Sequence, residues 1–174
     1  MQHVGDRLVF SATDLNDYLQ CRRLTELNAL VARGVLSRPE SEDPQAALIA
    51  RKGDEHEKRY LEGLRERHGS ASVVEFERAE NTLAAFAAAE RRTLEAMAAG
   101  VPILYQPNFF DGRFLGRADF LHRVERPSNL GSWSYEVLDT KLALNPKPYF
   151  LVQLCNYAEH LERLQGVMPV HGSG

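Results

Sequence analysis

Near residue 100 the apolar spacing of this chain changes period, and that change limits the folds open to it. Up to Ala99 hydrophobic residues recur at helical intervals; from Pro102 they alternate. Ser11 reads as an N-cap with Asp14 three residues on. Leu15, Tyr18, Leu19, Leu24, Leu27 and Val31 then continue one helical run to Gly34. Asp43-Pro44 suits the start of a second helix over 44–68, as N-cap and first helical proline. A short strand is predicted over 72–76 and an alanine-rich helix over 81–99, closed by Gly100. Pro102 to Asn108 and Arg113 to Val124 read as strands joined by an Asp111-Gly112 turn, with Trp133 to Lys141 as the next strand. A last helix over 148–165 stops at Gly166. Helices, a three-strand meander and a helix together predict an α/β or α+β domain.

At 174 residues, 44% hydrophobic and 26% charged, the chain has the makeup of one soluble globular domain. We read 1–174 as that domain. Eight residues follow Gly166, so the chain stops where another strand could begin, as a C-terminal truncation would leave it. No apolar run is long enough for a membrane span, and the N-terminus does not read as a signal peptide. Cys21 and Cys155 are too few for a disulfide framework or a four-cysteine metal knuckle, which points to the cytoplasm. The net charge is −3, so any polyanion it handles needs a local basic patch, a bound cation or a neighbouring domain. Only four residues are lysines, and Lys141 is one of them.

Asp139 and Lys141 alternate onto the strand face that carries Trp133, Tyr135 and Val137, the face expected to be buried. An acid and a lysine there are costly unless partnered; the plainer alternative is a solvated strand end. Along the preceding strand Leu115, Arg117, Asp119 and Leu121 are expected to share a face. A hairpin centred on Asn129 puts position 119 opposite 139, with Cβ atoms roughly 4.5–5.5 Å apart. Two carboxylates that close must share a proton or a cation, and Mg²⁺ or Mn²⁺ suits oxygen donors. A slipped register, or Arg117 as counter-ion, would account for the same residues. Gly116 lies mid-strand, where glycine marks either a bulge or the close approach of another group.

In the second helix Leu48, Ile49, Lys52, Gly53, His56, Tyr60, Leu61 and Leu64 form the expected inward stripe. Glycine costs roughly 1 kcal/mol there against alanine, which suggests that something needs the space at Gly53. His56 reads as a satisfied core residue or as a ligand. Glu57 is the rival ligand, about 100° around the helix and expected to face solvent. On the last helix Gln153 and Tyr157 share a face, with Gln153 polar among apolar neighbours.

In order, Gly53 to His56, Gly116 to Asp119, Asp139 to Lys141 and Gln153 to Tyr157 resemble the four motifs of the RecB-like branch of the PD-(D/E)XK nucleases. Phe10 to Leu15 with Cys21-Arg22-Arg23 is similar to the start of the helicase-associated RecB-like nucleases, and the resemblance spans about residues 8–166. It implies a restriction-endonuclease-like core, a small mixed β-sheet flanked by helices. It implies a metal-dependent deoxyribonuclease acting on single strands or DNA ends, with a helicase domain or subunit as partner. It further implies that His56, Asp119, Asp139 and the Thr140 carbonyl hold Mg²⁺ or Mn²⁺, and that Lys141 orients the attacking water. Gln153 and Tyr157 would position the DNA backbone, with Arg117 beside them.

Many RecB-like relatives hold a 4Fe–4S cluster with one N-terminal and three C-terminal cysteines. Cys21 matches the first, but no C-terminal trio follows and Cys155 lies inside the Gln153–Tyr157 helix. An iron–sulfur cluster is therefore not expected in this chain. The rival to the enzyme is a non-catalytic nucleic-acid-binding or assembly module that keeps the nuclease fold.

Overall fold

The computed structural model describes residues 1–38, 44–138 and 148–170. It is a mixed α/β structure. In chain order its elements are β1 (Gln2–Val4), β2 (Arg7–Val9), α1 (Ala12–Gln20), α2 (Arg22–Ala32), α3 (Pro44–His68), β3 (Val73–Glu75), α4 (Leu83–Ala98), β4 (Ile103–Tyr105), β5 (Asn108–Phe110), β6 (Leu115–Arg117), β7 (Phe120–Val124), β8 (Ser134–Leu138) and α5 (Pro148–Gln165). No helix among the described residues is long and apolar enough to cross a membrane.

The principal sheet runs β3-β4-β7-β8, with β3 parallel to β4 and the other pairings antiparallel. Alternation along β4 sets the layers. Ile103 and Tyr105 join Phe120 against Leu61 and Leu64 of α3, while Leu104 points the other way. On that second face Leu104, Leu121, Tyr135 and Val137 pack with Met97 of α4 and Tyr157 and Leu161 of α5. The sheet is thus covered by α3 on one side and by α4 and α5 on the other, as a strand with two apolar faces requires. The fully buried Gln165 ties the end of α5 to the outer strand β8, accepting from the Tyr135 N–H at 2.7 Å and donating to its carbonyl at 3.1 Å.

Three expectations are corrected. The first helix is two helices, because Cys21 is extended (φ −159°, ψ 110°) and serves as C-cap of α1 and N-cap of α2. Much of its expected inward stripe is exposed: Tyr18 46%, Leu19 69%, Leu24 36% and Leu27 36%. On α3 the stripe is buried only in its C-terminal half: Leu61 and Leu64 are buried, whereas Leu48 and Ile49 are exposed. Finally, both meander strands break at the same level. Gln106-Pro107 separates β4 from β5, and Ala118-Asp119 separates β6 from β7. The far halves form a separate hairpin, β5 with β6, closed by Asp111, whose carboxylate accepts from the Arg113 and Phe114 N–H groups. Because Asp119 stands in the break, it does not simply share a face with Leu115, Arg117 and Leu121.

One element went unpredicted. The β1–β2 hairpin turns at Gly5-Asp6, with Gly5 at φ +63°. A two-residue Gly-Asp loop, here between Val4 and Arg7, is itself a hairpin signal. Asp43 of the proposed Asp43-Pro44 cap lies outside the described residues.

Candidate functional site

The site is built where the two strand breaks meet α3. Pro107 has no N–H for a ladder, and Gln106 before it takes a left-handed conformation (φ +53°). Such a conformation is uncommon for a side chain of this size and needs support from its surroundings. The support is visible. The Gln106 N–H donates to the Asp119 carbonyl at 2.8 Å, joining the two breaks. Its amide Nε2 donates to Glu57 Oε1 of α3, also at 2.8 Å. Burial first, then the nearby Glu57 charge, hold the Tyr105 phenol protonated far above its usual range.

Glu57 is therefore half-buried and turned to the sheet, not to solvent as its helical angle suggests. α3 crosses the break closely enough for the inward arc to include it. His56, also half-buried, lies one turn before Tyr60, whose ring packs edge-on against Phe120 at 5.3 Å. Phe120 directly follows Asp119. His56, Glu57 and Asp119 are thus carried to one end of the sheet by elements in contact there.

The β7–β8 ladder pairs Phe120 with Leu138, Leu121 with Val137, His122 with Glu136, Arg123 with Tyr135 and Val124 with Ser134. Every pair is equidistant from residue 129, so the hairpin register is the one expected. Tyr135 and Val137 are buried, again as expected. Asp139, Thr140 and Lys141 lie outside the described residues; the last described pair, Phe120 with Leu138, is their neighbour in sequence. Among the described residues no three His, Cys, Asp or Glu side chains converge as a metal-binding group.

A second cluster sits on the other side of β6. The Tyr157 hydroxyl donates to the Arg117 carbonyl at 2.7 Å, and Gln153 Nε2 donates to the Tyr157 oxygen at 2.9 Å. The Gln153–Tyr157 pair thereby docks α5 on β6. Gly116 is required there: a Cβ on it would lie 3.2 Å from Tyr157 Cε1 and 3.3 Å from Phe109 Cδ2. The mid-strand glycine marks a close approach, made by an aromatic ring. Gly116, Arg117, Gln153 and Tyr157 all line a cleft of about 520 Å³, together with the exposed Arg78, which carried no sequence signal.

Gly53 behaves differently from Gly116. A methyl group there meets nothing within 4 Å among the described residues, so packing against those residues does not demand the glycine. Gly53→Ala is expected to stabilise the fold by about 0.5–1 kcal/mol, read as a higher urea midpoint at unchanged slope. A lower midpoint would mean that the half-buried Gly53 is held in a conformation alanine resists.

Sequence reasoning missed Gln106 and misdirected Glu57. Pro107 inside a presumed strand was the available signal, since proline interrupts a ladder. Comparison with known proteins finds no matching family model, no similar curated protein and no similar solved structure.

Proposed function

We propose that this chain is a metal-dependent deoxyribonuclease domain of the RecB-like PD-(D/E)XK kind, with a restriction-endonuclease-like core. The observation that carries the reading is the β7–β8 register centred on 129, which ends at Phe120 and Leu138, each next to a motif acid. Its second support is α3, whose His56–Glu57 turn is bonded through Gln106 to the same end of the sheet.

The donor types fit a hard divalent ion. Carboxylates from Asp119 and Asp139, the His56 imidazole and the Thr140 carbonyl would hold Mg²⁺ or Mn²⁺, with Glu57 as a further acid beside them. Such an ion supplies an activated water and charge neutralisation at the phosphoryl group. The Lys141 ammonium would orient the attacking water and offset charge growing on the phosphate oxygens. Tyr157 acts as a positioning residue, since its hydroxyl is engaged with the Arg117 carbonyl, and Gln153 and Arg117 line the same cleft. Substrates of this reading are DNA single strands or ends, delivered by a helicase domain or subunit.

The test is incubation with labelled single-stranded and duplex DNA in Mg²⁺, Mn²⁺ or EDTA. Cutting is expected with metal and lost in EDTA, Asp139→Ala and Lys141→Ala. Cutting that survives either substitution overturns the assignment, and DNA binding without cutting would establish the non-catalytic module instead.

A further inference from the structure

We infer that Arg78, together with Arg117, grips a phosphate of a single DNA strand in the cleft between them; this rests on the nuclease reading above. Three elements build it. The Phe76 N–H donates to the Tyr105 carbonyl, which fixes the segment leading to Arg78 along β4. The Phe76 carbonyl accepts from Arg117 Nη2 at 3.0 Å, and the Gln106 carbonyl lies 3.5 Å from Arg117 Nε. These two tethers hold the half-buried guanidinium at the cleft wall. The third element is the start of α1, fastened beside β6 by bonds from Phe10 to Arg113 and Leu115.

The charge in the cleft is one-sided. Arg78 and Arg117 both line it, and no Asp or Glu among the described residues does. Neither arginine forms an ion pair among the described residues, although most ion pairs there use arginine. Burial, and then the Arg78 charge, pull the Arg117 pKa below its usual range, against the weaker opposing pull of Glu57 and Glu75, neither of which lines the cleft. In a chain of net charge −3 this is a local basic patch of the kind a polyanion needs.

The rest of the lining fits a nucleotide strand. Asn81 and Gln153 bring amides, Thr13 brings a hydroxyl, and Phe86 and Leu115 supply apolar wall for sugar and base. At about 520 Å³ the space is of ligand-pocket size, room for about one or two nucleotides of one strand and not for a duplex. Paired guanidiniums match phosphate oxygens through directed N–H donors, which a lysine replaces only in charge.

The experiment measures binding of a labelled single-stranded oligonucleotide to the full chain in EDTA, by fluorescence anisotropy across a salt series. Arg78→Gln is expected to weaken binding about tenfold at low salt and to reduce the log–log salt slope by about 0.7, the loss of one single-strand phosphate contact. Arg78→Lys should keep the slope. Arg92→Gln, an exposed arginine on α4, should match wild type. An unchanged slope in Arg78→Gln overturns the site even if metal-dependent cutting is intact. Loss of slope in a protein that never cuts DNA supports the site and removes the nuclease reading instead. A duplex bound as tightly, with the same dependence on Arg78, or a wild type that binds no strand, overturns the proposal.

Discussion

Asp119→Asn is expected to reduce metal-dependent DNA cleavage by at least about a hundredfold while Tm stays within about 3 °C of wild type. Outer-shell partners of metal ligands already cost about 10–100-fold when removed, and a direct carboxylate ligand should cost no less. The fold should tolerate the change because the link between the two strand breaks uses the Asp119 carbonyl, which asparagine keeps. Glu57→Gln is the informative partner. Glutamine retains an oxygen to accept from Gln106 Nε2, so the α3 contact can persist while the charge is lost. An inactive Glu57→Gln beside an active Asp119→Asn would move the essential acid from the strand break to the helix and sink the assigned ligand set. Both variants are compared by initial rates on one labelled strand, with Tm measured in parallel.

Gly116→Ala is expected to destabilise the protein by about 2 kcal/mol, or about 4–8 °C in Tm for a chain of this size. The added methyl would press on Tyr157 and Phe109 at 3.2–3.3 Å. Neither ring can give way easily, since Tyr157 is 6% exposed and Phe109 fully buried, and Tyr157 is further held by the Arg117 carbonyl. The cause is checked by a double-mutant cycle. In a Tyr157→Leu background the same alanine should cost less than half as much, because the smaller side chain vacates the contact. Additive costs would show that the glycine serves the backbone of β6 and not the ring. Tyr157→Phe should not relieve the clash, because the atoms concerned belong to the ring.

Elements that answer to local physics were legible before any tertiary contact was known. The turn at Asp111-Gly112, the stops at Gly34, Gly100 and Gly166, and the extents of α3 and α5 follow from residues whose preferred backbone or side-chain bonds act within a few positions. The β7–β8 register also belongs here, because a strand with one apolar face admits few registers and the loop length selects among them.

What the sequence alone could not determine concerns which elements meet. An apolar stripe shows which side of a helix can be buried, yet Leu48, Ile49, Leu24 and Leu27 are exposed, because burial depends on which other elements pack there. The break at Gln106 and Asp119 needs partners from three separate stretches of chain, so no window of adjacent residues contains its cause. Glu57 faces inward for the same reason: helical angle fixes its direction from the axis, and only the position of Gln106 makes that direction an interior one. The pairing of Arg78 with Arg117 is likewise a product of three-dimensional closure. Local interactions act at fixed sequence spacing and can be read from it; a charge cluster or a shared carboxylate depends on distances that only the packed chain sets.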